Sequence, residues 1–320
     1  MTPTLSIVVT GRNDGYGGDF NSRFTRTLAF NHDRLTEHGV GHEIILVEWA
    51  PTPDRPRLAD VVVESVPAVR PVLTSYVVDP RYHEACSLNP RLAYLEYFAK
   101  NVGIRRARGR AILATNTDIY LSRGVVETIA NTSLATRTVY RATRTDVKLG
   151  TDESHVDWDL LDDPRNHTTY KTIQPPLYAG ASGDFILLDR DGFHALRGFN
   201  EVYRLARVGM DVNFLVKAYS SGFRITDIGA PVYHTSHVGS FRTTKHVASA
   251  DSAEASWGNR DWPSRSVIYE NPDSWGLRDA PARTLDERTT WLDFSWDAVP
   301  PLVDLRRIVL PAARVGNSTV

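Results

Sequence analysis

Asp118 closes the run Ala111-Ile112-Leu113-Ala114-Thr115-Asn116-Thr117-Asp118. Its small and apolar residues read as a short buried strand, and the polar turn puts a carboxylate at the strand's carboxyl edge. In open α/β sheets ligands bind at that edge. Other chemistry-bearing residues stand at comparable places. Glu48 ends the β-branched run 43–49. Arg12, Asn13 and Asp14 lie in the glycine-rich loop 11–18, after the run 5–10. Asp184 follows a Gly-Ala-Ser-Gly turn, Asp211 opens a helical stretch over 209–221, and His234 and His237 close an apolar run. Carboxylates can hold a hard divalent cation or take a proton, and a neutral imidazole can complete a metal shell. Each residue also has a purely structural reading. Asp118 and Asp211 can cap helices. Asp184 can stabilise a turn. The histidines can be packing residues, and the glycines can mark a turn with positive φ.

These residues need a scaffold. Runs 5–10, 43–49, 69–78 and 111–115 read as strands, with Pro71 either weakening the third or placing it near an edge. Runs 20–38, 91–108 and 125–134 carry apolar residues at helical spacing. Gly103 costs about 1 kcal/mol inside a helix, so close backbone packing is expected there. This order predicts a mostly parallel sheet with helices on both faces. The second half reads as a strand over 139–147, a long polar loop over 150–174, the 209–221 helix and a strand over 224–234. Beyond about 250 the chain is irregular and aromatic, with Trp257, Trp262, Trp275, Trp291 and Trp296, and 302–314 is a further possible helix.

Bulk composition excludes several classes. Net charge is −1 over 320 residues, so no field argues for nucleic acid. The single cysteine, Cys86, excludes an intramolecular disulfide and a Cys-rich zinc site. No run is long and apolar enough for a membrane span. The N-terminus lacks the pattern of a signal peptide. A cytoplasmic protein is the expectation.

In order and spacing, several motifs together resemble the GT-A glycosyltransferases of the family 2 type. They are residues 5–11 as first strand, Asn101-Val102-Gly103 through Ala107-Arg108-Gly109, and Asn116-Thr117-Asp118 in the DxD position. Further on come Gly198-Phe199-Asn200-Glu201 near a "GGF-x-E" segment, Gly209-Met210-Asp211 where Glu-Asp is usual, and His234 and His237 near a late metal-ligand histidine. The match covers about residues 5–240. Two positions depart from the pattern: Asn116 and Met210 replace acidic residues.

The resemblance implies an α/β GT-A domain over 1–245, with a nucleotide-binding half (1–120) and an acceptor-side half (121–245). Residues 246–320 would form an irregular or helical C-terminal extension. It implies hexosyl transfer from a nucleoside-diphosphate sugar, with a UDP-sugar favoured, to a hydroxyl of a glycan or small molecule, with inversion. Thr10, Arg12, Asn13, Asp14, Glu48, Asn101, Arg105, Asn116 and Thr117 would bind the donor. Asp118 with His237 or His234 would hold Mn²⁺ or Mg²⁺. A strand points residues three apart to opposite faces, so one histidine is expected to ligate, and His237 is preferred. Asp211 would be the base, with Asp184 lining the sugar pocket as the other catalytic candidate. The rivals are a retaining transferase, and a degenerate domain that binds nucleotide sugar or glycan without turnover. A Rossmann dehydrogenase ranks low, because Gly11-Arg12-Asn13-Asp14-Gly15 does not give G-x-G-x-x-G. The oligomeric state is left open.

Overall fold

The computed structural model describes residues 2–15, 18–90, 92–149, 156–202, 204, 209–235 and 268–303. The chain runs β1 (Leu5–Gly11), α1 (Phe20–Glu37), β2 (His42–Trp49), α2 (Leu58–Ser65), β3 (Leu73–Val78), α3 (Pro80–Cys86), α4 (Glu96–Arg106) and β4 (Ala111–Thr115). Then come β5 (Ile119–Leu121), α5 (Arg123–Asn131), β6 (Thr138–Arg141), β7 (Arg144–Val147), α6 (Trp158–Asp162), β8 (His167–Lys171), β9 (Phe185–Asp189) and α7 (Arg190–Ala195). The rest is α8 (Met210–Ser220), β10 (Arg224–Asp227), β11 (Val232–Thr235), β12 (Ala282–Thr284) and β13 (Thr289–Leu292).

Among the described residues the strands form a nine-stranded sheet, ordered β10-β6-β9-β4-β1-β2-β3-β13-β12, and a four-stranded sheet, β5-β11-β7-β8. The large sheet is mostly parallel; β9 runs against β4 and β6, and β12 against β13. Its central strands are apolar on both faces, as a sheet covered on both sides requires. Val8, Ile45 and Val47 enter one core with α4, α7 and α8; Leu5, Ile7, Val9, Ile44 and Leu46 enter the other with α1, α2 and α5. This is the α/β architecture that the resemblance leads one to expect. Gly103 lets α4 lie on the sheet, since a Cβ there would stand 2.5 Å from the Val8 side chain.

Two expected strands are each two strands. The run 139–147 splits into β6 in the large sheet and β7 in the small one, and the run 224–234 splits in the same way into β10 and β11. β4 and β5 make a third such crossing, through Asn116–Asp118. The expected loop 150–174 contains α6 and β8. The described part of the C-terminal extension joins the main body, because β13 pairs in parallel with β3. Arg106 donates to Gly276 O and Leu277 O at 2.7 Å each, and Trp275 is buried beside Arg105. Trp275 thus packs this part of the chain onto α4. Trp257, Trp262 and nearly all of the possible helix at 302–314 lie outside the described residues.

Candidate active site

The crossing from one sheet to the other gathers the charged residues. β4 ends at Thr115, and the chain turns through Asn116, Thr117 and Asp118 into β5. β11 pairs antiparallel with β5 and parallel with β7, so His234 stands opposite Ile119 on one side and Asp146 on the other. β9 runs antiparallel to β4 with Thr115 opposite Phe185, which brings Asp184 to the same edge. The register alone therefore collects Asn116, Asp118, Asp146, Asp184 and His234.

His234 is buried between two carboxylates. Its Nδ1–H donates to Asp146 Oδ1 at 3.1 Å, and its Nε2 lies 3.5 Å from Asp118 Oδ2. Burial alone would lower its pKa. The Asp118 charge, with hydrogen bonding to Asp118 and Asp146, outweighs burial and raises it to about 9. Arg144 continues the line, with Nε 2.8 Å from Asp146 Oδ1 and NH1 2.7 Å from Asp184 Oδ2. Burial opposes ionisation of Asp146, yet the His234 and Arg144 contacts hold its carboxyl below the usual range.

Asp118 does not cap the helix after it, because Ser122 Oγ accepts from Val125 N in that role. Asp211 is not the cap of α8 either. Gly209 occupies that position in the left-handed region, and Asp211 Oδ2 accepts a 2.8 Å hydrogen bond from Ser182 Oγ. The structural alternative of helix capping is thereby removed for both.

Sequence reasoning passed over four residues here. Asp146 and Arg144 lie in the expected strand 139–147, where neither was singled out. Lys100 sits on α4, where it is buried and ion-paired with Glu96 at 2.7 Å. Arg141 is fully buried and donates to Tyr178 O, Gly180 O and Ser182 O at 2.9–3.1 Å. Burial lowers its pKa to about 10 despite Asp211 and Asp184 nearby. The segment it holds carries Tyr178 and Ala181 at φ of 50° and 45°, conformations that persist only when neighbours enforce them. The sequence carried no separate signal for Lys100 or Arg141, because α4 and β6 hold other polar residues and a buried charge shows itself only through its partner.

The expected donor residues divide. Gly11 is paired with Glu48 across β1 and β2, so Thr10, Arg12, Asp14 and Glu48 share the carboxyl edge. Asp14 is exposed and Arg12 and Thr117 are half-buried. Arg12 NH1 donates to Ala93 O at 2.9 Å. Asn13 is turned inward and donates to Pro56 O at 2.7 Å, which makes it a loop fastener. Glu48 Oε2 accepts from Leu58 N at 2.9 Å at the start of α2, and burial pushes its pKa up to about 7. Asn101 and Arg105 are corrections. Asn101 is fully buried in a network with Phe199 and Glu201, and Arg105 reaches Asp273 O and stacks on Trp275. Helix α4 is buried on nearly every side, so its polar residues serve different neighbours; Lys100 reaches the site, and the Tyr97 hydroxyl lies close to Gly183.

For a divalent cation, the donor set in view is one carboxylate oxygen on Asp118 and the imidazole of His234. A second carboxylate fixing the far nitrogen is the usual support of a metal-bound histidine. Once His234 gives up the proton that Asp118 and Asp146 favour, that arrangement fits a cation such as Mn²⁺ or Mg²⁺. Among the described residues no three His, Cys, Asp or Glu side chains form a ready metal cage. His237, the preferred ligand from sequence, lies outside the described residues. Asn116 has both ends of its amide engaged, by Lys100 and Asp184.

No family model and no curated protein sequence matches the chain. Solved structures do. One is GalNAc-T7 with UDP, GalNAc and Mn²⁺, at 14% identity and TM-score 0.49, over 74% of this chain and 45% of that one. Another is the galactosyltransferase LgtC with donor and acceptor sugar analogues, at 11% identity and TM-score 0.35, over 59% of each chain. The chain thus spans less than two thirds of the length of either structure. No helix among the described residues is long and apolar enough to cross a membrane.

Proposed function

We propose that the protein transfers a sugar from a nucleoside-diphosphate sugar to a hydroxyl acceptor, with inversion and with help from a divalent cation. The observation that carries this is the Asp146–His234–Asp118 line set beside Asp184 and Asp211 at one edge of the parallel sheet. Asp118 and His234 would hold the cation, which supplies charge neutralisation for a departing diphosphate. Asp146 and Arg144 orient the imidazole. Thr10, Arg12, Asp14 and Glu48 line the neighbouring strand ends, where the nucleoside is expected. Asp211 would take the proton of the attacking hydroxyl. Asp184, held by Asn116 and Arg144, presents a fixed carboxylate to sugar hydroxyls.

The test is a panel of nucleotide sugars, UDP-sugars first, with and without Mn²⁺. Thermal shift reads donor binding, nucleotide release reads turnover, and the product's anomeric configuration separates inversion from retention. Metal-dependent release with an inverted product is expected. Asn116 and Met210, standing where the pattern has acidic residues, favour one rival, a domain that binds without turnover. Donor binding with no release under any acceptor would decide for that rival.

A further inference from the structure

Asn116 occupies a place where the motif usually carries a carboxylate, and its surroundings explain why an amide stands there. Its Oδ1 accepts from Lys100 Nζ at 2.8 Å, and its Nδ2 donates to Asp184 Oδ1 at 2.8 Å. The orientation of the amide is fixed by chemistry. An ammonium only donates and a carboxylate only accepts, so oxygen must face Lys100 and nitrogen must face Asp184. Lys100 also donates to Gly183 O at 3.0 Å, and Thr115 Oγ1 donates to Asp184 O at 2.6 Å. Three of these four bonds reach residues 183–184, and the fourth ties the middle of α4 to the end of β4. Lys100 and Asp184 are both buried, so each bond acts in surroundings where a lost partner is costly.

We propose that Asn116 is a positioning residue, a two-ended strut that transmits the hold of Lys100 to Asp184, and that it binds neither metal nor nucleotide. The proposal rests on the transferase reading for its consequence in turnover, and on the local geometry alone for the strut. Aspartate at this position could still accept from Lys100. It would, however, face the Asp184 carboxylate at hydrogen-bond distance with no donor between them, and two such carboxylates repel. Asp184 would then swing away from Asn116 while Arg144 still holds its other oxygen. Restoring the usual acidic residue is therefore expected to harm the enzyme.

The experiment uses the full chain and three variants: Asn116→Asp, Asp184→Asn, and the two together. Melting temperature is read on all of them, Mn²⁺ affinity by the paramagnetic signal of the free ion, and kcat with KM for the donor on Asn116→Asp. The strut predicts that Asn116→Asp melts roughly 3–6 °C lower. It predicts kcat down by about tenfold or more, the scale of a misplaced group, and Mn²⁺ affinity unchanged within about twofold. The double variant has an amide facing a carboxylate again and recovers most of the melting temperature lost by Asn116→Asp. Tenfold tighter Mn²⁺ binding, undiminished kcat, or no recovery in the double variant would each overturn the proposal. If the wild type turns over no nucleotide sugar, the transferase reading fails by itself, and the melting comparison still tests the strut.

Discussion

His234 donates from Nδ1 to Asp146 while its Nε2 faces Asp118 at 3.5 Å. One carboxylate thus sets the ring that the other shares. If a cation is held by Asp118 and His234, Asp146 controls its affinity without touching it. Asp146→Asn is expected to weaken Mn²⁺ binding by about 10–100-fold, the usual effect of losing such a support. Isothermal titration with Mn²⁺ alone measures this. Unchanged affinity would remove His234 from the metal assignment.

Glu48 gives a pH prediction with a definite sign. Burial raises its pKa to about 7 from an ordinary value of 4.5. The folded state therefore holds a proton that the unfolded chain has already released. Stability from this group is full below the unfolded pKa and is lost as pH rises through the folded one. Glu48→Gln stays neutral and retains an acceptor for Leu58 N. It should be neutral for stability near about pH 3.5, below the unfolded pKa, and stabilise by on the order of 1–3 kcal/mol near about pH 8. Denaturant melts at both pH values check this. A gain at the lower pH, or none at the higher, contradicts it.

Much of this was legible in the sequence, for a physical reason. Strands buried on both faces are apolar throughout, and helices such as α1 and α8 show their period, so β1, β2, β4 and these helices could be placed from pattern. Periodicity does not record a change of sheet. Residues 139–147 and 224–234 look like single strands because each half is extended and only the pairing partner changes. Asp146 and His234 meet through that change of partner. Lys100, Arg141 and Arg144 were hidden for a related reason: a charged residue among other polar ones reads as a solvated face until its buried partner is known.

Arg141 is expected to matter for stability as well as for the site. It satisfies three carbonyls of the 178–182 segment from a fully buried position. Arg141→Met removes all three bonds and leaves the carbonyls without that donor. At about 1–3 kcal/mol for each buried group left unsatisfied, the loss should exceed about 3 kcal/mol unless the segment opens to water. Chemical denaturation measures the first outcome, and amide exchange across 178–184 detects the second. A variant with full stability and unchanged exchange would show that the segment holds itself.

Asp211 carries the sharpest chemical prediction. It sits in the first turn of α8, where the helix dipole favours an anion, and it is not the helix cap. It accepts a side-chain bond from Ser182, and an asparagine oxygen can accept it equally well. Asp211→Asn should therefore fold and bind donor normally, at a cost of about 1–2 kcal/mol in stability because it removes a charge that offsets the burial of Arg141. Turnover should fall by about 10²–10⁴, the usual cost of losing a general base. Asp184 is the poorer candidate because Asn116 and Arg144 each engage one of its oxygens. Melting temperature, donor affinity and initial rate on this single variant separate the two roles. Near-normal turnover at saturating acceptor would exclude Asp211 as the base and turn attention to Asp184, whose oxygens would then have to be released from Asn116 or Arg144 when substrate binds.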